Sequence, residues 1–103
     1  MEFIETSVFT RQAVAVFSDE EYRALQLQLI LRPEAGSVIP GSGGLRKLRW
    51  RLPGRGKRGG ARVIYYWKST ADQLFLLFVY PKNVRTNLTL AELRVLKGML
   101  ADE

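Results

Sequence analysis

The sequence predicts an α+β fold: a small antiparallel β-sheet with helices packed on one side, in the order strand, one or two helices, three strands, helix. Three observations carry this. Capping signals precede helical apolar spacing twice, at Ser18 and at Thr89. Between them lie three strand-like segments bounded by glycine, proline and threonine. The chain is 103 residues long, with 47% hydrophobic and 25% charged residues, which suits one domain over residues 1–103.

Glu2–Phe9 is rich in β-branched and aromatic types and reads as the first strand, with imperfect alternation. Thr10–Phe17 has room for a short helix. Ser18-Asp19-Glu20-Glu21 is a capping box, in which the Ser hydroxyl accepts from an amide of the first turn while Glu21 reaches back. The helix behind it puts Tyr22, Leu25 and Leu29 on one face, with Leu27, Ile30 and Leu31 expected to widen that face. Pro33 disfavours helical geometry at Arg32, so the helix stops there. Pro40-Gly41-Ser42-Gly43-Gly44 is a turn leading into a strand over Leu45–Leu52. In that strand Leu48, Trp50 and Leu52 point one way and Lys47, Arg49 and Arg51 the other. One face joins the core and the other is a ladder of cations.

Pro53–Gly60 reads as a hairpin connection, and Ala61–Lys68 as the next strand, with Val63, Tyr65 and Trp67 opposite Arg62, Ile64 and Tyr66. Tyr65 and Trp67 are expected in the core. Gln73–Tyr80 is almost continuously apolar, as a central strand buried on both faces must be. Thr89-Leu90-Ala91-Glu92 caps a closing helix with Leu93, Leu96 and Leu100 as its stripe.

Composition removes several kinds of chemistry. There is no Cys, so disulfides and thiolate metal sites are excluded, and there is no His, so imidazole serves neither as ligand nor as acid or base. Neither a metal nor a cofactor is expected. No apolar run reaches the roughly 18 residues of a membrane span, and the start, Met1-Glu2-Phe3-Ile4-Glu5, is acidic where a secretory signal is basic. A cytoplasmic location without a membrane partner is the expectation.

The net charge is +6, unevenly placed. Ala35–Ala91 holds eleven cations and one acid, Asp72, whereas the rest of the chain holds five cations and nine acids. Such a field attracts polyanions, and RNA or DNA is the natural partner. Gly54-x-Gly56-x-x-Gly59 has the letters of a dinucleotide fingerprint, but that motif needs a strand-to-helix turn and this one joins two strands. Glycines there let Arg55, Lys57 and Arg58 approach a phosphate backbone closely. Arg62 shares its face with Lys47 and Arg49 if the strands pair as proposed. A guanidinium held there donates two parallel hydrogen bonds to one phosphate, and no acid between Glu34 and Asp72 competes for it. Lys82 and Arg85 follow the central strand and approach the ladder from the side, and Tyr66 offers a ring for stacking.

Two stretches, Gly44-Leu45-Arg46-Lys47-Leu48-Arg49 and Gly56-Lys57-Arg58-Gly59-Gly60-Ala61-Arg62-Val63-Ile64-Tyr65-Tyr66, resemble the RelE/ParE superfamily of bacterial toxins, most closely its HigB/RelE branch. Ser18–Tyr22 and Tyr80-Pro81-Lys82-Asn83 fit the same pattern in the same order, so the resemblance covers nearly the whole chain. It implies a RelE-like fold and the toxin half of a type II toxin–antitoxin pair. RelE and HigB toxins cut mRNA in the ribosomal A site and so inhibit translation and arrest growth. Implied partners are a cognate HigA- or RelB-like antitoxin, the ribosome and mRNA.

Carried over by position, the resemblance makes Arg62, Lys47 and Lys82 the catalytic candidates. Arg46, Arg49, Arg51, Arg55, Lys57, Arg58, Tyr66 and Arg85 become the RNA- and ribosome-binding candidates. It implies a metal-independent endoribonuclease in which the 2′-hydroxyl attacks the adjacent phosphate. RelE members carry a Tyr, and HigB members a His, near the C-terminal end of the site. Val84–Leu90 contains neither, so no general base carries over to that segment. Two alternatives stay open: a nucleic-acid-binding module without catalysis, and a ParE-like gyrase inhibitor.

Overall fold

The computed structural model describes residues 1–52, 60–84 and 87–100. Its elements in order are β1 (Glu2–Glu5), α1 (Ser7–Val16), α2 (Asp19–Leu31), β2 (Ser37–Val38), β3 (Arg46–Arg51), β4 (Gly60–Lys68), a short 3-10 turn (Ser69–Ala71), β5 (Gln73–Pro81) and α3 (Leu90–Met99). The five strands form one sheet in the order β1-β5-β4-β3-β2.

The α+β class and the order of the expected elements hold, with the two-residue strand β2 added between α2 and β3 and two differences in arrangement. First, the sheet is mixed: β3, β4 and β5 are antiparallel neighbours, but β1 runs parallel to β5, pairing Glu2 with Gln73 and Glu5 with Leu76. Second, the helices occupy both faces. α1 and α2 cover one face, burying Phe9, Ala13, Leu25 and Leu29 against Leu48, Val63, Tyr65, Leu74 and Leu76. α3 lies across the other, where Leu96, Leu93 and Leu100 meet Leu45, Ile64, Phe75, Leu77 and Tyr80. The apolar run of β5 demands this, since a strand greasy on both sides must be covered on both. A register shift beside Ile64 and Tyr65 of β4 puts both Leu77 and Phe78 on the α3 side.

β1 is shorter than expected because Thr6 begins a helix. Its hydroxyl accepts from Phe9 N at 3.0 Å and donates to Leu77 O at 2.8 Å. β5 outruns its four-residue neighbour, and α1 supplies the missing partners: Thr6 N donates to Leu76 O, and Val79 N donates to Gln12 Oε1 at 2.9 Å. Both capping boxes form, at Ser18/Glu21 and at Thr89/Glu92. α2 ends at Leu31 with Arg32 as its non-helical cap. Leu27, Ile30 and Leu31 do not widen its buried face; they are exposed, because a helix laid on a sheet buries the narrow stripe of Leu25 and Leu29.

Polar ties fix the helices to the sheet. Tyr22 donates to Glu5 of β1, and Thr10 donates to the other carboxylate oxygen at 2.6 Å. Burial first, and then the Glu5 carboxylate, push the Tyr22 phenol above its usual range. Tyr65 is fully buried, donates to Pro33 O at 2.6 Å and accepts from Gly36 N at 2.8 Å, and burial raises its phenol too. Any side chain at Gly36 would meet that ring at 2.8 Å, so glycine is required where the chain crosses it.

Candidate functional site

β3 and β4 place the cations. Their register sets Lys47 opposite Ile64, Arg49 opposite Arg62, and Arg51 opposite Gly60. Because side chains alternate, Lys47, Arg49, Arg51 and Arg62 all emerge on the α3 side of the sheet, while Leu48, Trp50, Ala61 and Val63 enter the core beneath α1 and α2. Arg49 and Arg62 are directly opposed like charges, an arrangement that destabilises a sheet and that an anion between them would relieve. The two ion pairs among the described residues, Met1–Asp72 and Arg32–Glu34, lie elsewhere.

Lys82 enters from the end of β5, where its backbone N donates to Gly60 O at 2.9 Å. A Cβ at Gly60 would lie 3.6 Å from Lys82 Cδ and 3.8 Å from Arg62 Nη1, so the two cationic chains converge over that glycine. Arg62 is half-buried, whereas Arg49, Arg51 and Lys82 are exposed. Half-buried Lys47 donates from Nζ to Asn87 Oδ1 at 2.7 Å, in the segment leading to α3. A cleft of about 610 Å³ opens there, where Lys47, Arg49 and Asn87 face Ser37, Val38 and Pro40.

This structure therefore brings Lys47, Arg49, Arg51, Arg62 and Lys82 together. It does not bring Arg46 with them. Arg46 pairs with Tyr65 on the opposite face and donates from Nη1 to Gly36 O at 2.7 Å and Glu34 O at 3.1 Å, anchoring the segment after α2. Adjacent residues in a strand face opposite ways, and Arg46 falls on the core side of the alternation. Tyr66 shares the face of Arg62 but sits four residues away, tilted against Phe75 and beneath Gly44. Arg55, Lys57, Arg58 and Arg85 lie outside the described residues. The glycine motif also lies outside the described residues; the strands on either side of it, β3 and β4, are antiparallel partners.

Sequence reasoning missed Asn87. No spacing rule links it to Lys47, forty residues away; only the return of the chain over the sheet does.

This sheet, its helix order and the cation face accompany a match over residues 6–102 to the family model described as the RelE toxin of the RelE/RelB toxin–antitoxin system. The chain belongs to the RelE toxin family. It is accordingly the toxin of a toxin–antitoxin system, and the family implies an antitoxin partner. The match is to the RelE family as a whole. Among solved structures, the E. coli toxin RelE, a double arginine-to-alanine mutant in the free state, is similar to it with a TM-score of 0.63. That similarity spans 97% of this chain and 96% of the other, at 13% identity, a likeness of fold. No helix among the described residues is long and apolar enough to cross a membrane.

Proposed function

We propose that this toxin is a ribosome-dependent mRNA endoribonuclease. The observation that carries the reading is the opposition of Arg49 and Arg62, with Lys47, Arg51 and Lys82 on the same face. In the proposed step the 2′-oxygen forms a bond to the adjacent phosphorus as the bond from phosphorus to the 5′-oxygen breaks. The products are a 2′,3′-cyclic phosphate and a 5′-hydroxyl end. The 2′-hydroxyl proton goes to a base and the leaving 5′-oxygen takes one from an acid, roles assigned to Lys47 and Lys82. Arg62 donates to the phosphorane oxygens as their charge grows, a contact strongest in the transition state. Arg49 and Arg51 hold flanking phosphates, a salt-sensitive contribution.

Few groups attend the reacting atoms, so the ribosome is assigned the task of holding the mRNA in line for attack. The reading places the toxin in the cytoplasm, with mRNA and ribosome as its targets and a RelB- or HigA-like antitoxin as its inhibitor. The test is a bacterial translation extract in which 5′ ends of a reporter mRNA are mapped with and without ribosomes. The expected result is codon-phased cuts with cyclic-phosphate ends that require ribosomes. Intact mRNA beside DNA breakage would indicate a gyrase poison instead, and intact mRNA with a protected footprint would indicate a binder without catalysis.

A further inference from the structure

A second basic cavity lies at the far end of the same sheet face. Even-numbered residues of β4 run from Arg62 through Ile64 and Tyr66 to Lys68, so the row extends roughly 20 Å at about 3.3 Å per residue. α3 crosses the middle of the face, covering Ile64 with Leu96 and its neighbours. Beyond it a cavity of about 530 Å³ remains, lined by Tyr66, Lys68, Arg94, Lys97, Leu100 and the turn glycine Gly43. Arg94 and Lys97 stand three residues apart on α3 and therefore project to one side.

Gly43 has φ +76°, and a side chain there would strike Lys97 Cε at 2.7 Å. The left-handed turn thus lets the lysine lie against the backbone beside the Tyr66 ring. No carboxylate lines the cavity among the described residues, and its one aliphatic side chain is that of Leu100. Arg94 and Lys97 beside the Tyr66 ring match a single strand that places phosphates on the two cations and a base on the ring.

We propose that this cavity is a second RNA-binding site, gripping single-stranded RNA away from the Arg62 cluster. The choice of RNA among polyanions rests on the function proposed above; the test reads binding and needs no cleavage. Dissociation constants for a mixed-sequence single-stranded RNA oligomer are measured between about 50 and 200 mM salt. The wild type is compared with Arg94→Gln/Lys97→Gln and with a control of equal charge change, Arg11→Gln/Arg23→Gln, on exposed positions of α1 and α2. Melting curves verify that all three are folded.

Each lost phosphate contact lowers the logarithmic salt slope by about 0.7 for single strands. The α3 pair is expected to lower it by about 1.4 and the control pair to leave it unchanged. An equal fall in both pairs, or a fall in neither, overturns the proposal. An α3 pair that keeps its RNA slope but no longer holds the antitoxin also overturns it, and assigns the cavity to protein binding. If the slope falls as expected while ribosome-bound mRNA stays uncut by the wild type, the second site stands and the endoribonuclease reading fails.

Discussion

The two faces of the sheet are covered differently. Beneath α1 and α2, Phe9, Leu25, Leu29, Val63, Tyr65, Leu74 and Leu76 are fully buried and form a closed apolar core. On the other side α3 covers the middle of the sheet, and Lys47, Arg49, Arg51, Arg62 and Lys82 collect at one end. Burial of apolar side chains stabilises both faces, the second beneath α3. At the open end of the second, Arg49 and Arg62 stand opposed, a like-charge pairing that a bound anion would relieve. Arg46 and Lys47 show how finely the division is cut. One residue apart, the first bonds the carbonyls of Glu34 and Gly36 behind the sheet, and the second meets Asn87 on the cation side.

A substitution on one face should leave the other intact. Arg62→Ala is expected to lower mRNA cleavage in the translation extract by about 10²–10³-fold, the usual cost of a lost transition-state donor. Its melting temperature should stay within a few degrees of wild type, or rise as the opposed charges part. Leu29→Ala should do the reverse. Emptying that buried site costs about 2–5 kcal/mol, a fall of roughly 10 °C or more for a chain of this size. Cleavage per folded molecule should be unchanged below the melting transition.

A smaller effect sharpens the core side. The Tyr22 and Tyr65 phenols are held protonated in the folded chain above their ordinary value near 10. As pH rises past that value the unfolded chain sheds protons that the folded chain keeps, so stability is complete below about pH 10 and declines above it. Tyr22→Phe should flatten that decline in melting temperature. An identical decline would remove Tyr22 from the account.

Much of this was legible in the sequence, for identifiable reasons. Alternation in Leu45–Leu52 assigned Leu48 and Trp50 to the core and Lys47 and Arg49 to the other face, because a strand's period of two is a local property. The capping boxes set the starts of α2 and α3 equally locally. What the sequence hid depends on remote chain. Glu2–Phe9 was too long as a strand because Val8 and Phe9 suit a strand by type, while the Thr6 cap decides for helix. The parallel pairing of β1 with β5 joins residues about seventy apart and leaves no local mark. The helix stripe Leu93, Leu96 and Leu100 does not say which face of a sheet it will cover. In the site, Arg46 read as one more cation until Glu34 and Gly36 came round to meet it, and Asn87 carried no signal before the loop laid it on Lys47.

In the proposed function, the face an arginine occupies, and not its charge, decides whether it serves the fold or the cleavage. Arg46 and Arg49 are three residues apart on one strand and face opposite ways, so each can be replaced by alanine and assayed for both cleavage and melting. Arg49→Ala should lose cleavage, and steepness in its salt dependence, with an unchanged melting temperature. Arg46→Ala should cost about 1 kcal/mol of stability, lowering the melting temperature by about 4–8 °C, with cleavage per folded molecule retained. Equal losses of cleavage from both substitutions, or a loss from Arg46→Ala alone, would contradict the account.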